Sequence, residues 1–523
     1  MERADYANLK VTEADHAEID EAIRAVLWGA KTGPQKPGCL EDRNPANPNA
    51  VIARWPQSVS GWRYVSELFV SAAVAQQTWR GVPFRERIAV MRQWAANIEA
   101  QLAKFIALMM VEAGKTRGEA KAEACEAVDL IRYYCNLYEE AGGYTVTLKT
   151  SVGAKANTMV MRPMGVFAVI APFNFPMALS VGMCTGALLT GNAVVFKPSL
   201  DAPLTGTRLH QAFIDACEHM NNVSLGRDVF ACVIASDRDF ECGMRESRGY
   251  ISGLAFTGSK KVGSHLKWAL DHSEPAPKIV AELGGKNSCI VTPSASSLEA
   301  MGRGVARSAF SYSGQKCSAC SVLIVHESLK EKTIASVVKA AEEEFVMGDP
   351  REHDVTLGPL INERAYGRYL GVRDELMKSG ADVIVPVIRK KSHAPGGYFA
   401  EPVIVSGLPA NHRLHYEELF MPVLCVRTYA RGIREAVEIA NSTEYGLTAG
   451  LFSFDSGEVA HFLENIDAGV LYVNREAGAT TGAWPGEQPF AGWKNSGIVS
   501  QFGVCGPNYL LNFVRGQSRT IYA

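Results

Sequence analysis

Between Arg162 and Lys197 the chain carries no charged residue. So long an uncharged stretch must leave water, either for a bilayer or for a protein interior, and its punctuation decides which. Pro163, Pro172 and Pro176, with Gly182, Gly186 and Gly191, cut it into pieces too short for one membrane-crossing helix. The block therefore predicts a deeply buried interior. Within it VFAVIAP (166–172) reads as a strand, Phe173-Asn174-Phe175-Pro176 as the loop after it, MALSVGMCTGALLT as a helix and NAVVFKPS (192–199) as a second strand. Both strands are apolar throughout, as a parallel sheet covered on two faces requires. VFACVIA (229–235) and GLAFTGS (253–259) read as further strands, and a helix begins at Lys260. Strands alternating with helices predict an open, doubly wound α/β sheet. Ligands of such sheets bind at the carboxyl ends of the strands, where Asn174, Lys197 and Ser259 fall.

The remainder of the chain builds around this unit. Residues 1–60 read as an extension: an amphipathic helix near 14–28, then a passage rich in Gly, Pro and Asn, KTGPQKPGCLEDRNPANPNA, that reads as loop. From Tyr64 to about Gly142 helical spacing dominates, opening with Val65, Leu68, Phe69, Ala72 and Ala73. Residues 144–162 change to two short alternating runs around Gly153-Ala154-Lys155, the pattern of a hairpin. An isolated hairpin is marginal in water, so pairing with another subunit is expected. The closing NYLLNFVRGQSRTIYA reads as a strand that could join it. A second α/β stretch begins near Lys278, and residues 477–495 read as loop.

At 523 residues two or three domains are expected. A net charge of −2 leaves no field to hold nucleic acid or an anionic membrane, so neither is an expected partner. The N-terminus is charged from its second residue and lacks an apolar leader, and the 12 cysteines are irregularly spaced. A reduced, cytoplasmic setting is the expectation; no metal is expected.

Chemistry concentrates in SAFSYSGQKCSACS (308–321). Only a thiolate attacks, so a reactive cysteine needs a cationic neighbour or a helix N-terminus. Lys316 precedes Cys317, which is the candidate nucleophile, although most cysteines are small buried hydrophobes. Cys317 and Cys320 also form a C-x-x-C, leaving a thiol–disulfide redox role open. In KIVAELGGKNSCIVTP, Glu282 stands beside a double glycine amid apolar neighbours. It is a candidate general base of raised pKa, or else a salt-bridged structural carboxylate or an exposed turn residue. The Gly258-Ser259 turn offers backbone N–H groups and a helix dipole to a phosphate, or is an ordinary helix cap.

Seven motifs in this order resemble the aldehyde dehydrogenase superfamily: PFNFP (172–176), VVFKPS (194–199), FTGSKKVG (256–263), ELGGK (282–286), GQKCS (314–318), EELFMPV (417–423) and PFAGWKNSG (489–497). The resemblance spans about residue 50 to the C-terminus. It implies a Rossmann-type cofactor domain (51–145 and 163–283) and an α/β catalytic domain (284–498). A protruding β oligomerisation arm (146–162 and 499–523) would serve a homodimer or larger homo-oligomer. It implies that Cys317 adds to an aldehyde, with the oxyanion held by the Asn174 amide and the Cys317 N–H, and that Glu282 activates water against the thioester. For the cofactor it implies Lys197 on the adenine ribose, Ser259 at the pyrophosphate and Glu418 on the nicotinamide ribose with Phe420 beside the ring. Ser199, Gly258, Val262 and Leu283 are the further cofactor positions. Relatives often place an acid three residues after the lysine; here Leu200 stands there, which removes a barrier to a 2′-phosphate, so NAD is expected with NADP possible. The segment 235–250 also lacks the glycine-rich pattern common ahead of FTGS.

The GQKCSA segment, the VEAGKTRGEAKAEACEAVDLIRYY helices and the ending GEQPFAGWKNSG…CGPNYLLNFVR look most like the 1-pyrroline-5-carboxylate (glutamate semialdehyde) branch. That likeness implies Ser318 and the backbone of Gly492 and Trp493 on the substrate's α-carboxylate, with Phe175 in the pocket. Ala491 replaces a common glycine and Trp493 is large, so a different small polar or aromatic aldehyde is the alternative substrate.

Overall fold

The computed structural model describes residues 9–28, 31–32, 39–56, 61–150, 152–219, 223–271, 276–295, 297–391, 396–498 and 502–522. Residues 33–38 of the expected N-terminal loop, and 499–501 of the expected arm, lie outside them.

The uncharged block folds as its pattern predicts. Val166–Ile170 and Ala193–Lys197 pair in parallel around the Ala178–Leu189 helix, nearly all of it buried. They lie in a six-stranded sheet ordered Gly497–Ile498, Lys278–Glu282, Ile251–Thr257, Val166–Ile170, Ala193–Lys197, Phe230–Cys232, parallel except for the first strand. Four helices, Trp62–Trp79, Phe84–Glu99, Leu102–Ala113 and Arg117–Glu140, carry the helical region, and their apolar faces join two cores around this sheet. A seven-stranded sheet runs Asp382–Ile384, Val403–Ser406, Val423–Tyr429, Cys320–His326, Asn287–Val291, Thr448–Phe452, Val470–Val473, with only the Asp382–Ile384 edge antiparallel. The stretch from Lys278 is therefore split between sheets: Lys278–Glu282 ends the first and Asn287–Val291 enters the second. Only Leu283 to Lys286 separate them.

The hairpin is present as Thr145–Thr147 against Ala154–Pro163, and Val514–Tyr522 adds antiparallel to the latter. The closing segment is a strand only from Val514. Tyr509–Phe513 is a 3₁₀ turn instead, because its aromatic rings are buried against the Ala178–Leu189 helix, where the Phe513 ring fills the space a Cβ at Gly186 would need. The strand expected at 229–235 shrinks to Phe230–Cys232, since the preceding residues form the helix Val223–Val229. The passage expected as loop before residue 50 contains strands Lys31–Thr32 and Cys39–Arg43, which pair with Ala50–Pro56. Polar contacts hold this small sheet, which hydrophobic periodicity does not reveal: the buried Glu41 carboxylate binds Arg43 at 2.6 Å and Arg54 at 2.7 Å.

Candidate active site

The Leu298–Phe310 helix ends just before the nucleophile loop, and Tyr312, Ser313 and Gly314 then take φ of 53°, 52° and 70°. Two successive left-handed non-glycine residues are costly and persist only where the surroundings fix them. Here the Tyr312 hydroxyl donates to the Ala113 carbonyl at 2.8 Å and the Ser313 hydroxyl to that of Gly358 at 2.6 Å. Gln315 donates to Pro359 at 3.2 Å and accepts from the Ile361 N–H at 2.9 Å. Beyond the turn, the Asn287 amide donates to the carbonyls of Cys317 (2.7 Å) and Ala319 (2.9 Å) and accepts from Thr448 N–H at 3.0 Å. The backbone of Cys317 is thereby held from both sides.

Cys317 lines a cavity of about 480 Å³ with Ser318, Phe175, Lys316, Glu119 and Glu126. Burial, with the Glu282 and Glu418 carboxylates facing it, pushes its thiol up to about 12, while the backbone N–H groups of Ser318 and Cys317 itself pull it down. Asn174, 4% exposed, donates to the Gln315 carbonyl at 3.1 Å, two residues before the sulfur. That bond uses one of the two hydrogens on its amide nitrogen. Glu282 terminates its strand inside the protein, and burial raises it to about 8 against a weak 3.4 Å bond from the Val504 N–H. The salt-bridged and exposed-turn alternatives for Glu282 do not hold: one carboxylate oxygen is buried without a hydrogen-bond partner and no ion pair involves it among the described residues. The double glycine after it has a steric cause. A Cβ at Gly284 would collide with the Glu418 carboxylate, and one at Gly285 would sit 2.5 Å from the Cys317 carbonyl oxygen.

Lys115 is a site residue that the sequence did not reveal. Its amine, 1% exposed, pairs with Glu123 at 2.7 Å and lies 3.8 Å from the Phe175 ring centroid. The Glu123 carboxylate also accepts from the Met177 and Ala178 N–H groups at 2.8 and 3.1 Å, fixing the loop that carries Asn174. Periodicity places Lys115 and Glu123 on helical segments but cannot say that they meet.

Gly492 and Trp493 are not where the sequence expectation put them. Neither lines the cavity; Trp493 is 54% exposed in the two-residue strand Trp493–Lys494, paired with Tyr445–Gly446. Gly492 is needed for a tight turn in which a side chain would strike the Ser496 backbone, and Ser496 in turn accepts from the Leu283 N–H at 2.9 Å. That turn braces the end of the Glu282 strand. The late loop that does line the cavity comes earlier, with Thr481, Gly482, Ala483 and Trp484, where Gly482 has φ +122°. Arg475 braces it by donating to the Thr481 carbonyl at 2.9 Å. Cys320 fares poorly as a redox partner: it is 1% exposed in a central strand, its thiol bonds the Val322 carbonyl, and it is not joined to Cys317.

Of the expected nucleotide positions, Lys197, Ser199, Gly258 and Ser259 lie at the carboxyl ends of strands in the six-stranded sheet, beside its switch point. From Val166–Ile170 the strands proceed outward through Ala193–Lys197 to Phe230–Cys232, then return to the other side at Ile251–Thr257. This opens a crevice at their carboxyl ends. Lys197 closes one strand, and the Ser199 hydroxyl accepts from Asp201 N–H at 3.2 Å just beyond it. Gly258 donates to the Glu282 carbonyl at 3.1 Å, and Ser259 caps the 11-residue Lys260–Leu270 helix, accepting from Val262 N–H. Leu283 is buried while Val262 is exposed. Glu418 accepts from Gly285 N–H at 3.0 Å; burial raises it to about 7, opposed by that bond and by Lys286. Phe420, at φ +58°, meets Phe173 edge-on at 6.0 Å. A buried amine, a helix N-terminus and a carboxylate are the kinds of donor and acceptor that a dinucleotide's ribose and phosphate groups need.

The family model described as "Aldehyde dehydrogenase family" matches residues 32–515. The chain belongs to that family. Among curated relatives it is 32% identical to a 1-pyrroline-5-carboxylate dehydrogenase of Bacillus licheniformis, covering 91% of this chain and 88% of that one. It is 31% identical to 1-pyrroline-5-carboxylate dehydrogenase 2 of Bacillus subtilis, with the same coverage. Among solved structures, a Thermus 1-pyrroline-5-carboxylate dehydrogenase with bound NAD superimposes with a TM-score of 0.87 at 28% identity, covering 100% of both chains. Proline utilization A from Bdellovibrio bacteriovorus gives 0.88 at 27% identity, covering 100% of this chain and 54% of that one. The α/β architecture of this aldehyde dehydrogenase is thus that of its relatives. No helix among the described residues is long and apolar enough to cross a membrane.

Proposed function

We propose that this aldehyde dehydrogenase oxidises glutamate γ-semialdehyde, the open form of 1-pyrroline-5-carboxylate, to glutamate with NAD. One observation carries the reading: Cys317 lines a partly open cavity that also presents Lys316, Ser318, Glu119, Glu126, Thr481, Gly482 and Ala483. An amino-acid aldehyde brings an ammonium and a carboxylate on one carbon, and this cavity offers groups for both. The relatives named above support the same choice of substrate and cofactor.

The chain's own residues then divide the work. The Cys317 thiol passes its proton to a base as the sulfur adds to the aldehyde carbon; the assigned base is Glu282, whose buried carboxyl interacts electrostatically with the thiol. The oxyanion that forms is held by the second N–H of the Asn174 amide and the Cys317 N–H. A nicotinamide dinucleotide in the crevice supplies the hydride acceptor. Glu282 afterwards draws a proton from water attacking the Cys317 thioester, which releases the acid. Ser318 orients the carboxylate, as the resemblance implied, and the Thr481–Ala483 backbone takes the part it implied for Gly492 and Trp493.

The domain division at 283/284 and a homo-oligomer belong to the same proposal. Val514–Tyr522 is an exposed edge strand, and Val146, Leu148, Ile521 and Tyr522 leave apolar surface on the arm. A cytoplasmic setting fits cysteines of which none is disulfide-bonded. The deciding experiment is turnover on a panel of aldehydes with NAD and NADP in parallel. Glutamate semialdehyde should give the highest kcat/KM, and a simple aliphatic or aromatic aldehyde outperforming it would overturn the substrate assignment.

A further inference from the structure

The sequence lacks an acid three residues after Lys197, where Leu200 stands, and this absence alone suggests tolerance of a 2′-phosphate. The fold changes that conclusion. The Lys197 side chain is 4% exposed at the carboxyl end of its strand, and its amine sits 2.7 Å from a carboxylate oxygen of Asp237, a side chain that is itself 94% exposed. Asp237 is the first residue of the Asp237–Glu246 helix, which follows the neighbouring strand Phe230–Cys232 and is capped by the Ser236 hydroxyl on Asp239 N–H. An acid absent from one loop is thus supplied in space by the next, 40 residues along the chain from Lys197.

We propose that Asp237 is the carboxylate that recognises the adenosine ribose in this chain and makes it select NAD over NADP. The inference rests on the dinucleotide reading of the crevice. Lys197 holds one carboxylate oxygen and the other faces water, where it can accept from a free ribose hydroxyl. A 2′-phosphate arriving at the same place would bring up to two negative charges against a fixed carboxylate. The other charges nearby are of both signs. Asp201, mostly buried, adds a further acidic group that interacts with both Lys197 and Asp237. Arg238, exposed and adjacent in sequence, and Arg364, which interacts with Asp201, are cations that favour a phosphate, so the choice between the two dinucleotides is measured against them.

The test is direct binding of NAD, NADP and ADP-ribose to the full chain, by calorimetry or fluorescence quenching without aldehyde. The wild type should bind NAD at least about tenfold tighter than NADP, each factor of ten being about 1.4 kcal/mol. Asp237→Asn should lower that ratio to about threefold or less, chiefly by tightening NADP, with a small loss in melting temperature, because the amide keeps an oxygen for the buried Lys197 amine but loses the charge. Adding Leu200→Glu to Asp237→Asn should restore the preference by returning the acid from the other loop. A ratio unaffected by Asp237→Asn, or a wild type that prefers NADP, overturns the proposal while leaving a dinucleotide site intact. Binding of neither dinucleotide nor ADP-ribose overturns the reading of the crevice, and this proposal with it.

Discussion

Replacing Glu282 by Gln isolates the buried carboxyl proposed as the base in both halves of the reaction. Its pKa rises from 4.5 to about 8 through burial. At about 1.4 kcal/mol per unit, ionising it in the folded protein costs at most about 5 kcal/mol. The sign of the stability effect follows from a raised folded-state value. Between about pH 4.5 and 8 the native chain keeps a proton that the unfolded chain has released, so this group's contribution is full below 4.5 and is lost as pH climbs through 8. Glutamine has no such titration and keeps an oxygen for the Val504 N–H. The melting temperature of Glu282→Gln should therefore gain on the wild type from pH 5 to pH 8. Kinetically, about a tenth of Glu282 is ionised at pH 7, so wild-type steady-state turnover should rise with pH and level near 8. A carboxamide cannot deprotonate water. Stopped-flow measurement of NADH should show the variant forming its burst more slowly but still approaching one equivalent per site, with steady-state turnover lower by roughly 10²–10⁴-fold because hydrolysis is slowed more. Turnover equal to the wild type, or a melting difference that does not change with pH, would refute the assignment.

Further substitutions test the architecture around the sulfur. Gly285→Ala brings a Cβ to 2.5 Å from the Cys317 carbonyl and should cost about 1–3 kcal/mol while reducing kcat; denaturant midpoints and turnover are the readouts. Lys115→Met leaves Glu123 as a buried, unpaired carboxylate and should destabilise the fold by about 3–5 kcal/mol, with Lys115→Met/Glu123→Gln recovering part of the loss in thermal melts. Ser318→Ala should raise KM for glutamate semialdehyde about tenfold with little change for an aldehyde lacking the carboxylate, whereas Trp493→Ala should leave both KM values within about twofold.

The chain's own pattern determined the parallel sheet, the helical region and the arm hairpin, because each rests on local information such as an uncharged run cut by prolines. Local context only nominated Cys317 and Glu282 and left alternatives open; their proposed roles, and that of Asn174, came from the order of seven motifs shared with a family. What the double glycine is for became visible only when Glu418 and the Cys317 carbonyl were seen to occupy the missing Cβ positions. Lys115 with Glu123, Asn287 beneath the nucleophile, and Asp237 beside Lys197 were likewise invisible, because each is a contact between segments whose separation is set by folding. Gly492 and Gly482 illustrate the limit most plainly. Both are glycines in one late loop-rich stretch, and only the packing of that stretch turns one toward Ser496 and the other toward the cavity. Composition and spacing specify which groups a chain possesses; which of them meet is decided by the tertiary structure, where burial and distance assign a partner to each charge.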